Sequence, residues 1–331
     1  MADLTTKYLG LTLRNPLVVG SSGLTDTVDK IVELEKNGAG AVVLKSLFEE
    51  QIALEADYKL REAEKNDLLY SDYSESLDYI DSHIKDKELT TYIELIKGAK
   101  KAVDIPVIAS INAITHSEWT GFAKQLEMAG ADAIELNIFV MPFSFDRESD
   151  ENESVYYSVL RKVKESVNIP VAVKISPYFS NLGKVIHNLE NNGADAVVMF
   201  NKFSSPDVDI NKQELTHADI FSKPSDIYYS LRWISLAAKR VGIDLAASTG
   251  IHDGEAVIKQ LLAGANVTQI ATAIYKNGPS VLNEINNFLH EWMDDNGYNY
   301  IDQFKGKLSQ SESVKPDAYE RINFMKYFSE I

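Results

Sequence analysis

One short pattern, repeated four times along the chain, constrains the fold more than any other feature of the sequence. Each copy has a helix end, then Gly-Ala, a further residue, and a short apolar run. The copies are NGAGAVVL from Asn37, AGADAIEL from Ala129, NGADAVVM from Asn192 and AGANVTQI from Ala263. Gly38, Gly130, Gly193 and Gly264 stand where a helix ends with a left-handed residue. The short, β-branched apolar runs that follow are typical of parallel strands buried on both faces.

A second pattern alternates with the first. It reads VDIPVIAS from Val103, VNIPVAVK from Val167 and VGIDLAAS from Val241. Together with NPLVVGSSG from Asn15, the two series predict eight strands separated by amphipathic helices. We place the strands near 16–20, 41–45, 106–111, 133–137, 170–175, 196–200, 244–248 and 267–272. Eight β-then-α units predict a (β/α)₈ TIM barrel. A doubly wound open sheet is the alternative, but such sheets usually have fewer strands.

Three stretches are longer than ordinary loops and are predicted to be insertions over the carboxyl face of the barrel. They follow strands 2, 4 and 6, at residues 48–88, at MPFSFDRESDENE from Met141, and at residues 202–226. The predicted barrel covers residues 1–308. Residues 309–331, with AYERINFMKYF, are predicted to add a C-terminal tail helix to the same domain.

Composition excludes several classes of function. The net charge of −16 argues against a nucleic-acid partner and against anionic membrane surfaces. The chain has no cysteine, which excludes disulfides, thiolate metal sites and thiol nucleophiles. We expect no metal site. The start of the sequence does not read as a signal peptide, and no apolar run approaches the roughly 20 residues that span a bilayer. We therefore expect a cytoplasmic protein.

Polar residues follow the predicted strands with unusual regularity. Nearly every strand ends at a hydroxyl, an amide, a lysine or a glycine, as at Ser21, Ser22, Ser46, Asn112, Asn137, Asn201 and Ser248. Lys45 and Lys174 are predicted to be buried at strand ends, where a lysine is costly without a partner. An anionic ligand over the barrel mouth would supply that partner; a structural ion pair is the alternative for either lysine alone.

The last two predicted strands run into small residues and then into helices. These segments are AASTGIHDG from Ala246 and QIATAIYKNG from Gln269. They would expose backbone N–H groups at helix starts, an arrangement with which many barrels bind phosphate. A sugar phosphate and a flavin nucleotide both fit this set of groups.

Six blocks of sequence, in order, resemble the class 1 dihydroorotate dehydrogenases. They are NPLVVGSSG, VVLKS, AIELNI, AVKISPYF, ASTGIHDGEAVIKQLLAGA and QIATAIYKNGP; the later GYNYIDQFKGKL is similar to the closing segment of that family. The blocks span Asn15 to Leu308, and the similarity weakens between Glu49 and Glu88. The resemblance implies a barrel that binds FMN as a redox cofactor.

The resemblance also implies roles for the strand-end residues. Ser21 and Ser22 would lie beside the isoalloxazine ring, and Lys45, Ser46 and Lys174 would contact its pyrimidine side. There, positive charge stabilises the reduced flavin. Asn112, Asn137 and Asn201 would lie near the ring. The phosphate would bind backbone N–H groups around Ser248, Thr249, Gly250, Ala271 and Thr272, although Ser248, Thr249 and Ala271 differ from the residues usual in the family.

The substrate side departs further from the family. Where the family has an Asn-x-x-Cys-Pro-Asn motif, whose cysteine or serine takes a proton from dihydroorotate, this chain reads NIFVMPF from Asn137. Val140 and Met141 stand where the base is expected. Ser144 and Asp146 are the hydroxyl and carboxylate replacements in the same loop, and a solvated loop serine is the plainer interpretation of Ser144. Lys45, Asn137 and Ser144 are the candidate catalytic residues, and His116 and His252 are candidate proton carriers.

These observations leave three hypotheses. The leading one is an FMN-dependent oxidoreductase acting on a C–C bond next to a carbonyl or imide, with dihydroorotate to orotate, a step of pyrimidine biosynthesis, as the named reaction. The second is a flavin-binding barrel without catalysis, and the third is a phosphate-binding lyase or isomerase that uses Lys174 as an amine nucleophile. The expected ligand is a small-molecule substrate. Relatives suggest a homodimer, and they use fumarate or, through a separate iron–sulfur subunit, NAD; the sequence selects no electron acceptor.

Overall fold

Eight parallel strands form a closed barrel in the computed structural model, which describes residues 2–48, 73–112, 116–203, 205–314 and 316. The barrel strands are β3 (Leu17–Val19), β4 (Ala41–Val43), β6 (Val107–Asn112), β7 (Ala133–Asn137), β8 (Val171–Ile175), β9 (Ala196–Met199), β12 (Asp244–Ser248) and β13 (Val267–Ile270). Their order is β4-β3-β13-β12-β9-β8-β7-β6, and pairing of β4 with β6 closes the ring. The predicted (β/α)₈ fold is confirmed.

The helices lie between the strands in sequence and pack around the barrel. They are α1 (Val28–Lys36), α2 (Tyr73–Ala102), α3 (His116–Ala129), α4 (Ser149–Ser166), α5 (Leu182–Asn191), α6 (Ile227–Ala237), α7 (Gly254–Ala263), α8 (Thr272–Asn277) and α9 (Val281–Asp295). Side chains at helical spacing, such as Ile31 and Leu34 of α1, are buried in one large core with the outward faces of the strands.

The glycines of the repeated pattern have the predicted conformation. Gly38, Gly130, Gly193 and Gly264 have φ of 96°, 99°, 92° and 120°. In all four copies a barrel strand begins three residues later, at Ala41, Ala133, Ala196 and Val267. Because L-residues avoid this region, each glycine lets the chain reverse from helix to strand without strain.

The amino-terminal end of the barrel is closed by a hairpin of β1 (Thr6–Tyr8) and β2 (Leu11–Leu13). Leu9, in its turn, donates its N–H to Asp244 Oδ2 at 2.8 Å, at the first residue of β12. Tyr8, Leu9 and Leu13 pack with a layer of small inward-facing residues that includes Ala133 and Ala246. This end is apolar and sealed, so the polar ends of the strands lie at the opposite mouth.

The predicted insertions differ in form. After β4 the structure describes β5 (Leu47–Phe48), which pairs with β6, and then α2; residues 49–72 lie outside the described residues. Residues 141–150, after β7, are exposed. After β9 comes an antiparallel hairpin of β10 (Pro206–Asp209) and β11 (Glu214–His217).

At the carboxyl end of the chain, the last described element is a 3₁₀ turn at Gln310–Glu312. AYERINFMKYF lies outside the described residues, so the tail helix and the division at residue 308 stay predictions. Among the residues that the structure describes, no helix is both long and apolar enough to cross a membrane.

Candidate functional site

A polar pocket of about 150 Å³ opens at the carboxyl end of the barrel. Its walls come from β8, β12 and β13 and from the segments that follow β3, β9, β12 and β13. The lining residues are Gly20, Ser21, Lys174, Asn201, Lys202, Ser222, Ser248, Thr249, Gly250, Ile251, Gln269, Ile270, Ala271 and Thr272. Hydroxyls, amides and two lysines dominate this lining, so the pocket suits a ligand rich in hydrogen-bond acceptors.

The floor of the pocket contains a buried polar cluster of Lys174, Glu135 and Gln269. Lys174 Nζ donates to Gln269 Oε1 at 2.8 Å and lies 3.4 Å from Glu135 Oε1. Gln269 Nε2 donates to Glu135 Oε2 at 2.5 Å. The three side chains are 6%, 1% and 3% exposed for Lys174, Glu135 and Gln269. A buried ion pair needs such hydrogen bonds to offset its desolvation.

A chain of hydroxyls connects β3, β4 and β6 beside this cluster. Ser21 Oγ lies 3.1 Å from Ser46 Oγ and accepts from the Ser46 N–H, and Ser46 Oγ lies 2.7 Å from Ser110 Oγ. The Tyr92 hydroxyl of α2 donates to the Ser110 carbonyl and accepts from the Ser110 N–H. Burial raises the pKa of this phenol. Ser46 therefore connects the ends of neighbouring strands by hydrogen bonds. Ser21 is the hydroxyl of this series that lines the pocket.

The turn after β12 has an unusual backbone. Thr249 and Gly250 both have positive φ, 76° and 81°. Thr249 Oγ1 donates to the Phe200 carbonyl at 2.9 Å, which ties the turn to the end of β9. A Cβ on Gly250 would lie 2.1 Å from the Ile227 nitrogen, so only glycine allows α6 to approach this closely.

Three side chains meet at the start of α8. Thr272 Oγ1 accepts from the Ser222 N–H at 3.2 Å and from Ser222 Oγ at 3.1 Å, and Ser222 Oγ lies 3.1 Å from His252 Nε2. Ser222 is buried, whereas His252 is half-buried. Desolvation, and then the nearby Lys276, lower the pKa of His252, which favours a neutral imidazole.

The segment after β7 carries the candidate catalytic residues. Asn201 Nδ2 donates to Asn137 Oδ1 at the strand ends. Val140 is half-buried, and its N–H donates to Tyr156 OH at 3.2 Å. Ser144 and Asp146 are exposed, and Ser144 Oγ accepts from the Asp146 N–H. The position where the resemblance predicts a base therefore has apolar side chains, and the loop hydroxyl points to solvent.

A second depression of about 310 Å³ adjoins the polar pocket. The two share Asn201, Lys202, Ser248 and Thr249. The remainder of its lining is more aromatic and includes Tyr178, Phe200, Phe203 and Tyr229. The mouth thus offers one polar and one aromatic compartment side by side.

Comparison with known proteins agrees with this architecture. The family model for dihydroorotate dehydrogenase matches residues 3–293. The chain belongs to the dihydroorotate dehydrogenase family. Among its relatives, the catalytic subunit of dihydroorotate dehydrogenase B (NAD(+)) from Thermoplasma acidophilum is 29% identical, over 92% of this chain and 99% of that protein. The proteins of the same name from Thermoplasma volcanium and Thermococcus kodakarensis are 28% and 26% identical, each over 92% of this chain and 98% of the relative.

Membership of the dihydroorotate dehydrogenase family confirms the class predicted from the sequence blocks. The chain is an oxidoreductase of the family that acts on CH–CH groups, and the family is flavin-dependent. The roles of the individual site residues stay predictions.

Most of the residues predicted to bind the cofactor lie together in one pocket of the structure. Eight line it: Ser21, Lys174, Asn201, Ser248, Thr249, Gly250, Ala271 and Thr272. Ser22, Asn112 and Asn137 are half-buried at neighbouring strand ends, and Ser46 is buried behind Ser21. The side chain of His116 lies outside the described residues.

Lys45 is exposed, so the prediction that it is buried is wrong. It lies in the short connection between β4 and β5, and its side chain faces water while the neighbouring Leu44 and Ser46 are buried. Lys174 is buried as predicted, but its ion pair with Glu135 is the structural alternative, so its burial alone does not require an anionic ligand.

Sequence reasoning missed Glu135 and Gln269 in the floor and Gly20, Lys202 and Ser222 in the walls. The sequence did contain a signal for Glu135 and Gln269, because each is a large polar side chain within a short predicted barrel strand, at AIEL and VTQI. Ser222 had none, since it lies in a long segment whose path depends on tertiary contacts.

Proposed function

We propose that the polar pocket binds FMN and that the chain oxidises dihydroorotate, or a close analogue, at a C–C bond next to a carbonyl. The observation that carries this proposal is the lining itself: eight of the residues that the resemblance assigns to the cofactor converge on one polar pocket. Family membership adds the reaction class. FMN, when bound, accepts the electron pair removed from the substrate C–H bond.

The donor set of this pocket fits a flavin mononucleotide. The phosphate would bind at the turn of Thr249 and Gly250 and at the segment of Ala271 and Thr272, where small residues leave backbone N–H groups accessible. The ammonium of Lys174 would hold the pyrimidine oxygens of the ring. The adjoining aromatic compartment, with Tyr178 and Phe203, offers apolar surface beside the ring.

The proton released by the substrate needs an acceptor, and no thiol exists in this chain. Because Val140 and Met141 lack a basic group, we expect the oxidation of dihydroorotate to be slow compared with relatives that have a cysteine. Asn137 and Asn201, joined by a hydrogen bond, would orient the substrate without taking its proton.

The two alternative functions predict different behaviour. A phosphate-binding lyase would need the Lys174 amine as a nucleophile, but Glu135 and Gln269 already engage that group. A flavin-binding barrel without catalysis would bind FMN and never reduce it. The apolar side chains of Val140 and Met141 are the specific observation that favours this second candidate.

One experiment tests the proposal. The absorbance spectrum of the purified chain is recorded, and the protein is then titrated anaerobically with dihydroorotate. We expect about one FMN per chain and slow bleaching of the flavin band. A colourless protein that takes up no added FMN would overturn the cofactor assignment. Stable binding of FMN with no reduction by dihydroorotate would instead favour the non-catalytic barrel.

The electron acceptor forms a separate part of the proposal. The relatives are named as catalytic subunits of NAD(+)-dependent enzymes, which supports a second protein that connects this chain to NAD. We expect the reduced chain alone to transfer no electrons to NAD⁺ and to need that partner. Rapid reoxidation of the isolated chain by NAD⁺ or by fumarate would contradict this assignment.

A further inference from the structure

The hydroxyl of Thr272 has both of its acceptor positions filled by one residue. Its Oγ1 accepts from the backbone N–H of Ser222 at 3.2 Å and from Ser222 Oγ at 3.1 Å. A hydroxyl has two acceptor lone pairs and one proton to donate. With both lone pairs engaged on the Ser222 side, the Thr272 proton must point elsewhere, and Thr272 lines the polar pocket.

The hydrogen bond between Ser222 and His252 has one direction for the same reason. Ser222 Oγ gives its proton to Thr272, so its contact with His252 Nε2 at 3.1 Å requires the imidazole to donate. The three groups then form a series of donors that runs from His252 Nε2 through Ser222 Oγ to Thr272 Oγ1. Ser222 is 4% exposed, so water competes little for the middle position.

We propose that Ser222 and His252 are positioning residues: they hold the Thr272 hydroxyl in the orientation in which it donates its proton to the phosphate of FMN. This inference rests on the proposed function. A phosphate only accepts hydrogen bonds, so a hydroxyl that is held as a donor recognises it without reorientation. Thr249, which also lines the pocket, differs because its hydroxyl donates its proton to the Phe200 carbonyl.

The test compares two ligands that differ only by the phosphate. Affinities of the full-length apoprotein for FMN and for riboflavin are measured by flavin fluorescence quenching. Thr272→Val removes the donor at constant shape and should raise the Kd for FMN about 10- to 100-fold, as expected for a hydrogen bond to a charged group. Ser222→Ala should raise it roughly 3- to 10-fold, because the Thr272 hydroxyl then keeps only the backbone N–H as a donor and its proton is less firmly directed to the pocket. Neither change should alter the Kd for riboflavin.

Two controls separate this role from a structural one. Thr272→Ser keeps the hydroxyl and should retain the FMN affinity. Ser235→Ala deletes a buried hydroxyl of α6 that donates to the Leu231 carbonyl of the same helix, and it should leave both affinities unchanged. Equal loss of both flavins in Thr272→Val, or no loss of either, would overturn the inference but not flavin binding. A wild-type chain that binds neither flavin would overturn the proposed function and the inference together.

Discussion

Lys174 Nζ lies 3.4 Å from Glu135 Oε1 on neighbouring strands β8 and β7, and both side chains are buried. The pair explains how a lysine is accommodated inside the barrel, because the carboxylate and Gln269 Oε1 replace the water around its Nζ. Glu135 makes the floor of the pocket close to neutral in the resting protein. A ligand that gains negative charge during the reaction would then meet a cation that is already held in place.

The first prediction concerns Lys174. Lys174→Ala should weaken FMN binding and make reduction of the flavin harder, because the reduced ring loses its cation. A loss of about 1.4 kcal/mol would lower the two-electron midpoint potential by about 30 mV. The potential is measured by anaerobic dye titration. Lys259→Ala, on the exposed face of α7, is the control; an equal shift in both variants would contradict the role of Lys174.

The second prediction concerns its partner. Glu135→Gln keeps the volume of the side chain but leaves a buried ammonium without a counter-ion, and such changes cost about 3–5 kcal/mol. Urea unfolding of the apoprotein should show this loss. Lys100→Gln breaks the partly exposed pair with Asp132 and should cost about 1 kcal/mol or less. Similar losses for the two variants would mean that the Lys174–Glu135 pair is not buried in solution.

The sequence was sufficient to predict the barrel because each unit repeats the same local signals. Glycines at the helix ends, such as Gly38 and Gly193, mark the reversal from helix to strand, and the apolar runs mark buried parallel strands. Those signals are local, so no tertiary information was needed to locate β7 at Ala133–Asn137 or β12 at Asp244–Ser248.

The site was less accessible to sequence reasoning. Strand ends are local features, so Ser21, Lys174 and Thr249 could be named in advance. Contacts between distant segments could not. Ser222 meets Thr272 across 50 residues of sequence, and Lys174 meets Gln269 across 95. Lys45 lies between β4 and β5 and is exposed, whereas Lys174 lies within β8 and is buried.

The third prediction concerns Gly264, which ends α7. It has a φ of 120°, and an added Cβ would lie 2.4 Å from the Cβ of Ala238. Gly130→Ala adds a methyl group at a similar φ but into open space, and should cost about 1–2 kcal/mol from the backbone alone. Gly264→Ala should cost about 1–3 kcal/mol more, from overpacking. Urea unfolding measures the difference; equal losses would place Ala238 farther away than described.

The fourth prediction uses the lowered pKa of His252. The unfolded state protonates this imidazole near its ordinary pKa of 6.5, whereas the folded state resists protonation because the side chain is desolvated and near Lys276. The unfolded state therefore binds more protons as pH falls through 6.5, and the free energy of unfolding should decrease. His252→Gln should remove that part of the decrease between pH 7.5 and 5.5. Identical pH profiles for wild type and variant in urea unfolding would contradict the shift.

The last prediction concerns the missing base. A positioned general base contributes roughly 10²–10⁴ in rate. Because Val140 and Met141 occupy its place, anaerobic reduction of the flavin by dihydroorotate should be slower than in cysteine-bearing relatives by about that factor. Met141, which precedes a proline as the family's cysteine does, is the position to change. Met141→Cys should raise the reduction rate, with a pH dependence that follows ionisation of the new thiol.

The controls for this prediction separate chemistry from the mere presence of a thiol. Met128→Cys places a cysteine at an exposed site of α3, away from the carboxyl end of the barrel, and should leave the rate unchanged. Ser144→Ala tests whether the loop hydroxyl already serves as the base, in which case most of the wild-type rate would disappear while FMN binding remained. Wild-type reduction at the rate of the cysteine-bearing relatives, unaffected by Ser144→Ala and by Asp146→Asn, would show that the proton leaves by a route that none of these residues provides.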